Sequence, residues 1–399
     1  MNNLRNDSLE GPMRTHREAS FYETLAGDRA RCTLCPHDCR IVDGGRGACG
    51  MRVNRRGKLY TLAYHKAVAR NLEPIEKKPF FHFLPGSTAY SIATVGCCLR
   101  CAFCQNWQLS QWPKDHLPRK LEWRARSEGQ GAGVELAALE KTTPGAAVTP
   151  RRIVGSALAA GAESIAYTFT EPTVFFELAY DTAILARSRG LRNLFVTSGF
   201  TREAPLRQIA AVLDAVNVDL KYFREESYRR ISRARLAPIL EACRLYRELG
   251  VWLEVTTLII PRINDSAEEL SQIAGFIRSL GPEVPWHVSP FYPAYEMARH
   301  PSTPLETLRR ARRIGRDAGL CYVYAGLVPG GEDTHCSSCG ALLIERDGHS
   351  VRSNRIREAR CPDCGAPVDG VQMSAPGPDT GDRSAARNRV RAKEVAWTS

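Results

Sequence analysis

Apolar runs and amphipathic stretches alternate along the chain between residues 89 and 327. The apolar runs carry Val, Ile, Leu and aromatic residues with few polar interruptions, a pattern typical of strands that are buried on both faces of a sheet. The seven strands that this pattern predicts are 89–96, 163–169, 192–198, 215–222, 251–260, 284–291 and 321–327.

The stretches between these strands repeat their apolar residues with the period of a helix, and several end on glycine, a common helix stop. Strands joined by helical crossovers predict an α/β protein with a parallel sheet covered by helices. A closed TIM barrel needs eight strand–helix units, and only six or seven are present, so we expect a partial, TIM-like (βα)6-type barrel. The six predicted helices are 150–161, 173–190, 202–214, 236–250, 266–281 and 304–319.

The segments outside the alternation predict a division of the chain into five parts. Residues 109–148 interrupt the rhythm within the barrel and are predicted to form a surface insertion after the first strand. The end of the chain is rich in Gly, Pro, Ser, Arg and Asp, which predicts disorder. The parts are a flexible N-terminus at 1–28, a Cys-rich segment at 29–85, the barrel at 86–330, a second Cys-rich segment at 331–370 and a disordered tail at 371–399.

The composition of the 399 residues, with 43% hydrophobic and 25% charged side chains, is that of an ordinary globular protein. The N-terminus lacks the apolar core of a secretory signal, and no apolar window is long enough to span a membrane, so we expect a cytoplasmic protein. The net charge of +12 favours anionic partners without naming one. A nucleic-acid-binding or nucleic-acid-modifying protein is therefore an alternative, but no RRM, KH or basic–aromatic pattern supports it.

The 14 cysteines change this picture, because twelve of them fall into three groups of four. In a reduced compartment, grouped cysteines are more often metal ligands or catalytic groups than disulfides. Cys243 and Cys321 stand alone and are expected to be buried packing residues. The groups are Cys32, Cys35, Cys39 and Cys49, then Cys97, Cys98, Cys101 and Cys104, and finally Cys336, Cys339, Cys361 and Cys364.

The middle group follows the first predicted strand, at the sheet edge where α/β proteins place their sites. Cys97, Cys101 and Cys104 have the spacing CxxxCxxC, and three thiolates can bind a [4Fe–4S] cluster while leaving one iron open. A zinc knuckle is the alternative, and the strand before the motif and the helices after it favour the cluster. Cys98 is not needed by the spacing; it is expected to pack behind the ligands, with a ligand switch as the alternative.

The two outer groups predict further metal sites. Cys336, Cys339, Cys361 and Cys364 form two CxxC pairs, each followed by glycine, which predicts a zinc ribbon, with rubredoxin-like iron as the alternative. Cys32, Cys35, Cys39 and Cys49 are less regularly spaced, have His37 as a spare ligand, and predict either zinc or an auxiliary iron–sulfur cluster.

Together these stretches resemble a specific family, the radical SAM enzyme of the AmmeMemoRadiSam system, itself similar to pyruvate formate-lyase activating enzyme. The resemblance runs from about residue 30 to residue 370. It implies a reduced [4Fe–4S] cluster that cleaves S-adenosylmethionine to a 5′-deoxyadenosyl radical, which abstracts hydrogen from the substrate. Its main motifs are CTLCPHDCRIVDGGRGACGMRVN at 32–54, GCCLRCAFCQNWQLSQ at 96–111, YTFTEPTVFFELAYDTA at 167–183 and VPWHVSPFYP at 284–293.

The resemblance also implies roles for side chains at the strand ends. Glu171 is expected to accept the amino group of S-adenosylmethionine. Thr197 and Ser198 are expected to contact its carboxylate or ribose, and Asp219 and Lys221 to share these two groups. Two residues near the sixth strand, His287 and Tyr292, are the candidates that face the substrate.

The resemblance leaves the substrate unidentified and implies that a protein or peptide is plausible. An enzyme that activates a glycyl radical enzyme is the closest alternative. The implied partners are an electron donor such as flavodoxin or ferredoxin, together with Memo-like and companion-domain proteins of the same system.

Overall fold

The N-terminal segment builds two small antiparallel sheets. In the computed structural model, which describes residues 16–118 and 133–374, the sheets have the orders β1-β6-β5 and β2-β3-β4. The expected flexible N-terminus is corrected for residues 16–28, which contribute two of these strands, and residues 1–15 lie outside the described residues. The first seven strands are β1 Arg17–Glu18, β2 Tyr22–Leu25, β3 Arg29–Cys32, β4 Arg40–Ile41, β5 Arg52–Arg55, β6 Lys58–Thr61 and β7 Lys66–Ala67.

A sheet of eight strands follows and forms the centre of the molecule. Its order is β16-β15-β14-β13-β12-β11-β9-β8, in which seven strands are parallel and β8 is antiparallel at one edge. All seven predicted strands are confirmed, whereas β8 was not predicted. The short strand β10 pairs with β7 outside this sheet. The next strands are β8 Ala69–Pro74, β9 Thr88–Ala93, β10 Ala146–Ala147, β11 Ser164–Tyr167, β12 Arg192–Thr197, β13 Ala215–Asp219, β14 Trp252–Ile259, β15 Trp286–Pro290 and β16 Val323–Ala325.

Helices connect the parallel strands, and all six predicted helices are confirmed as α4, α5, α6, α8, α9 and α10. Two begin at hydroxyl caps, because the side chains of Thr149 and Ser266 accept a hydrogen bond from the backbone N–H three residues on. The helices are α1 Trp107–Ser110, α2 Trp112–His116, α3 Gly133–Thr142, α4 Pro150–Ala159, α5 Phe176–Ser188, α6 Glu203–Ala210, α7 Glu225–Ser227, α8 Leu236–Glu248, α9 Ala267–Leu280 and α10 Leu305–Asp317.

The core lies between the sheet and these helices, where the strand residues of β11 and β13 are almost completely buried. Helix α10 approaches the sheet closely at Gly315. A Cβ atom at this position would lie 2.9 Å from ring carbon Cε3 of the fully buried Trp286. The lack of a side chain at Gly315 therefore permits the close packing of α10 on β15.

The predicted insertion 109–148 is described for residues 109–118 and 133–148, and the rest of it lies outside the described residues. The described parts contain helical residues of α1, α2 and α3 together with β10. Leu136 and Leu139 of α3 are buried, and β10 pairs with β7 of the N-terminal segment. This region therefore connects the N-terminal segment to the rest of the structure by pairing β10 with β7.

The C-terminal segment forms a three-stranded antiparallel sheet of β17 Thr334–His335, β18 Leu342–Asp347 and β19 Ser350–Asn354. The expected disordered tail is corrected for residues 371–374. Met373 is buried, and the N–H of Val371 donates to the carbonyl of His82 at 2.8 Å. Residues 375–399 lie outside the described residues. Among the helices of the described ranges, none is long and apolar enough to cross a membrane.

Candidate functional site

A loop that follows β9 carries the central cysteines at the carboxyl edge of the parallel sheet. Gly96 begins the loop with a φ of +100°, and a Cβ there would lie 2.5 Å from Cγ of Met51. The loop is fixed to the chain after α7, because the N–H groups of Arg100 and Ala102 donate to the carbonyls of Ser232 and Ile231 at 2.9 and 3.0 Å. The loop is therefore packed against Met51 at its start and hydrogen-bonded to Ile231 and Ser232 further along.

The three predicted ligands differ in their surroundings. Cys101 is buried, and burial raises the pKa of its thiol to about 12. The N–H of Leu99 points at Sγ of Cys97 at 3.4 Å, and the hydroxyl of Ser110 lies 3.3 Å from Sγ of Cys104. Such polar contacts stabilise thiolates. The donor set, three cysteines with N–H and hydroxyl neighbours, fits an iron–sulfur cluster with one open iron.

Three of the predicted cofactor residues lie together. Glu171 is buried at the end of β11, and its carboxylate accepts four hydrogen bonds. The donors are the N–H of Thr173 at 3.1 Å, the hydroxyl of Thr197 at 2.7 Å, and both the N–H and the hydroxyl of Ser198 at 2.9 and 2.6 Å. Glu171 therefore fixes the ends of two adjacent strands, and an ammonium group would have to share its oxygens with these donors.

Two further predicted residues form a pair at the end of β13. The ammonium of Lys221 lies 2.8 Å from Oδ2 of Asp219. Burial opposes the charged form of Lys221, but the attraction of Asp219 and of the Cys101 thiolate outweighs this and raises the pKa of Lys221. The same ammonium lies 5.7 Å from the centre of the Phe103 ring in the cysteine loop. Lys221 is thus a permanent positive charge beside the predicted ligands.

The two substrate candidates lie in different places. His287 is buried and its Nε2 is 2.6 Å from Oε2 of Glu254, a carboxylate that also accepts the N–H groups of Phe81 and His82. Those two residues precede β9, whereas the cysteine loop follows it. The ring of His287 therefore belongs to a buried network with Glu254, Phe81 and Tyr324, and its role toward a substrate stays a prediction.

Tyr292, by contrast, follows β15 and is 47% exposed. A few residues on, the ring of Tyr295 stacks on Trp107 with centroids 5.2 Å apart, close behind the cysteine loop. Tyr292 therefore lies in a segment that reaches the loop, and its role toward a substrate stays a prediction.

The sequence reasoning missed several residues that shape this site. The side-chain amide of Asn106 donates to the carbonyl of Phe169 at 2.9 Å, which joins the cysteine loop to the end of β11. The hydroxyl of Thr170 donates to the carbonyl of Thr94 at 2.8 Å and joins the same two elements. Both residues lie inside the quoted motifs at 96–111 and 167–183, and this was the signal available in the sequence.

The C-terminal group converges on one point. The sulfur atoms of its four cysteines all lie within 4.8 Å of one another, with 3.7 Å separations for the pairs 336–364 and 339–361. Burial opposes ionisation of Cys336, but the N–H groups of Cys339 and Ser338 lower its pKa to about 7. Gly340 and Gly365 both have φ above +70°, and each donates to the first cysteine of its own pair at 2.9 Å. This geometry is that of a four-thiolate metal site.

The N-terminal group lies beside the central loop. All four of its cysteines line one small cavity of about 20 Å³ together with Cys98. The ring Nε2 of His37, the spare ligand, is instead 2.7 Å from the carbonyl oxygen of Cys98. Of the two isolated cysteines, Cys243 is buried as expected, whereas Cys321 is exposed, which corrects the prediction.

A larger, open cavity of about 370 Å³ adjoins the first and shares Cys98 with it. Its cationic lining residues are Arg46, Arg100, Lys114 and Arg233, and no carboxylate lines it among the described residues. The guanidinium of Arg46 is already bonded to four backbone carbonyl groups. The remaining cations make the cavity favourable for an anionic ligand.

Comparison with known proteins agrees with this geometry. Residues 91–276 match the Radical SAM superfamily. This matched region contains the central cysteine group and runs from β9 into α9. Over a longer range, the chain is 41% identical over 358 residues to the uncharacterized protein MJ0808 of Methanocaldococcus jannaschii, covering 88% of this chain and 99% of that protein. The two proteins share a family along nearly their whole lengths.

Solved structures give more distant similarities. A domain of pyruvate-formate lyase-activating enzyme from Bacteroides vulgatus has a TM-score of 0.37 at 17% identity, covering 41% of this chain and 99% of that one. A radical SAM methyltransferase from Sphaerobacter thermophilus has a TM-score of 0.42 at 18% identity, covering 65% and 71%. SuiB of Streptococcus suis bound to S-adenosylmethionine has a TM-score of 0.40 at 13% identity, covering 58% and 48%. No assignment follows from similarities of this size.

Proposed function

We propose that this protein is a radical SAM enzyme in which Cys97, Cys101 and Cys104 bind a [4Fe–4S] cluster. The observation that carries the proposal is the position of these cysteines at the carboxyl end of the first parallel strand, inside the region that matches the superfamily. When bound, the cluster and S-adenosylmethionine supply a 5′-deoxyadenosyl radical that abstracts hydrogen from the substrate.

The chain's own residues hold and shield this centre. Lys221 places a positive charge beside the thiolate of Cys101, and the N–H of Leu99 stabilises that of Cys97. Glu171, Thr197 and Ser198 form the polar floor at the next two strand ends and are proposed to contact S-adenosylmethionine. Asp219 orients Lys221 and is proposed to contact the same molecule.

The experiment is anaerobic reconstitution with iron and sulfide, followed by reduction in the presence of S-adenosylmethionine. The wild-type protein is expected to produce 5′-deoxyadenosine, and Cys104→Ala is expected to abolish it. Cys243→Ala, which removes a buried thiol of α8 that belongs to none of the three cysteine groups, is the matched control and should keep the activity. Production of 5′-deoxyadenosine by Cys104→Ala at the wild-type rate would overturn the proposal.

Within this chemistry, we propose that the chain is the radical SAM component of the AmmeMemoRadiSam system and acts on a protein or peptide. Support comes from the motifs on which the family resemblance rests, which lie both in the N-terminal Cys-rich segment at 32–54 and along the parallel strands up to residue 293. The proposed partners are a flavodoxin or ferredoxin and the Memo-like and companion-domain proteins. Incubation of the reduced enzyme with each candidate should give 5′-deoxyadenosine in excess of the uncoupled rate only with the substrate.

The remaining structural details belong to the same proposal. The seven parallel strands are proposed to curve into a partial barrel, and Cys336, Cys339, Cys361 and Cys364 to hold zinc as a ribbon. A cytoplasmic location is proposed from the grouping of twelve cysteines, because grouped cysteines of a reduced compartment are more often metal ligands than disulfides. Metal analysis of the purified protein checks the zinc, which should remain after the iron has been removed.

A further inference from the structure

Five cysteines line one cavity between the N-terminal segment and the barrel. Four of them, Cys32, Cys35, Cys39 and Cys49, come from the first group, and Cys98 comes from the central loop. The other walls are mostly apolar and include Leu34 and Val174. A cavity with this many thiols and few other ligands favours a thiophilic metal group.

The separation of the sulfur atoms indicates the size of that group. A tetrahedral zinc site with bonds of about 2.3 Å places its sulfurs about 3.8 Å apart. The C-terminal group has this spacing, with pairs at 3.7 Å. Among the described residues, the sulfur atoms of the C-terminal four cysteines all lie within 4.8 Å of one another. The sulfur atoms of the N-terminal four cysteines do not meet this distance. Ligands attached to different iron atoms of a cluster lie further apart than ligands of one ion.

An arginine in the same cavity indicates the charge of the group. Arg52 is 1% exposed, and its two terminal nitrogens donate to Glu177 and to the carbonyl of Ser20. Its Nε is buried and has no hydrogen-bond partner within the described part of the chain. A buried N–H without an acceptor is costly, and an anionic sulfur in the cavity that Arg52 lines would supply one.

We propose that Cys32, Cys35, Cys39 and Cys49 hold a second iron–sulfur cluster with more than one iron atom, to which the Nε–H of Arg52 donates a hydrogen bond. Of the two alternatives predicted for this group, zinc and an auxiliary cluster, the proposal takes the cluster. The C-terminal group, with its single-ion spacing, is proposed to be the zinc site.

The second cluster lies against the loop of the first. The thiol of Cys98 makes hydrogen-bonding contacts with Cys35 on one side and with Cys97 on the other. The ring of His37 also reaches the carbonyl oxygen of Cys98. The two centres are therefore separated by little more than one side chain. That the neighbouring group at Cys97 is an iron–sulfur cluster rests on the proposed function. The second cluster at the N-terminal cysteines does not depend on it.

The decisive experiment removes the central cluster and measures what remains. A full-length variant with Cys97→Ala, Cys101→Ala and Cys104→Ala is reconstituted anaerobically and analysed for iron, acid-labile sulfide and zinc. We expect it to retain iron and sulfide in similar amounts, together with one zinc. Adding Cys35→Ala and Cys49→Ala should remove the iron and sulfide and leave the zinc. A triple variant that holds two zinc ions and no sulfide would overturn the proposal.

Two further measurements do not depend on the triple variant being folded. First, Cys35→Ala with Cys49→Ala in the otherwise intact protein should lower the iron content by about half while 5′-deoxyadenosine production stays detectable; an unchanged iron content contradicts the second cluster. Second, the electron paramagnetic resonance spectrum of the reduced wild type should differ from the sum of the two cluster-deficient spectra, because adjacent spins interact. A simple sum would refute the proposed contact through Cys98.

Arg52→Lys tests the hydrogen bond, since it keeps the charge opposite Glu177 and removes the Nε–H. We expect a changed resonance signal of the second cluster in the triple-variant background. Arg346→Lys is the matched control. Arg346 is also a buried arginine, but its guanidinium packs on the rings of Phe81 and Tyr324, so this variant should leave the signal unchanged. Equal spectra for wild-type and Arg52→Lys proteins would remove Arg52 from the site.

Discussion

Buried carboxylates at the residue scale hold the strand ends and the N-terminal segment in place. The carboxylate of Glu171 accepts four hydrogen bonds from neighbouring residues. The carboxylate of Glu177 on α5 accepts hydrogen bonds from the guanidinium of Arg52 and from the N–H of Ser20. A buried carboxylate is tolerated only when its oxygens are paired in this way. Substituting either residue is therefore expected to disturb the structure, and a matched control variant is needed to separate this effect from an effect on ligand binding.

The first prediction concerns Glu171→Gln. The amide would direct N–H groups at the donors Thr197 and Ser198, so the strand ends should shift and S-adenosylmethionine should bind at least about tenfold more weakly. Anaerobic calorimetric titration of the reconstituted protein measures this. Glu163→Gln is the control, because Glu163 accepts from Thr88 at the opposite end of the same strands. Equal weakening by both variants would contradict a role for Glu171 at the cofactor.

The second prediction concerns Glu177→Ala, which leaves the guanidinium of Arg52 buried without its partner. The loss is expected to cost about 3–5 kcal/mol of folding free energy. Glu203→Ala removes an exposed carboxylate that pairs with Arg207 at 2.7 Å, and it should cost under about 0.5 kcal/mol. Chemical denaturation of both variants gives the comparison. A similar midpoint for the two would show that the Arg52–Glu177 pair adds little.

At the scale of elements, the long apolar runs made the seven parallel strands predictable, because a strand buried on both faces has almost no polar residue to obscure it. Strand β8 was missed because it is an antiparallel edge strand, and its sequence ARNLEP places Arg70 and Asn71 on exposed positions. The short strands before residue 62 have too few residues to show a period.

In the candidate site, too, features that are local in sequence could be predicted, whereas features that depend on tertiary contacts could not. The cysteine spacings are local, so the three groups could be predicted from the sequence. The position of His287 depends on which element covers the amino ends of the strands, and this is a tertiary contact with Phe81 and His82. Arg52 follows Cys49 closely in sequence, but its pairing with Glu177 joins residues far apart in the chain and could not be predicted without the structure.

The third prediction belongs to the segment before β9 that closes the amino ends of the strands. Burial lowers the pKa of His82 from 6.5 to about 4, so the folded protein keeps the ring neutral. The unfolded chain binds a proton below pH 6.5, and the contribution of His82, at most about 3 kcal/mol, is therefore lost as the pH falls from 6.5 toward 4. His82→Gln should flatten the pH dependence of unfolding in this window.

Thermal unfolding between pH 4 and 7 measures this effect. His116→Gln, at an exposed position of α2, serves as the control and should keep the wild-type slope. If His82→Gln retains the wild-type slope as well, another group is responsible for the acid sensitivity.

At the scale of the whole molecule, the two Cys-rich segments cover opposite ends of the sheet. The N-terminal segment contacts the cysteine loop after β9, whereas the C-terminal segment contacts the chain before β9. In the latter, Arg346 of β18 donates to the carbonyl of Phe81 at 3.0 Å and lies 4.2 Å from the centre of its ring. The C-terminal metal site therefore stabilises the end of the sheet that lies away from the proposed reaction.

The fourth prediction follows from this separation. Cys339→Ser with Cys364→Ser should release the zinc, loosen β17–β19 and increase hydrogen–deuterium exchange at residues 79–83, because Arg346 loses its support. The iron content and the reductive cleavage of S-adenosylmethionine should stay within about twofold of the wild type. Cys321→Ser, at an exposed cysteine outside the group, is the control and should leave the exchange unchanged. Loss of iron from the double variant would mean instead that the C-terminal segment supports the cluster end of the sheet, and the division of the molecule into two separately stabilised ends would be wrong.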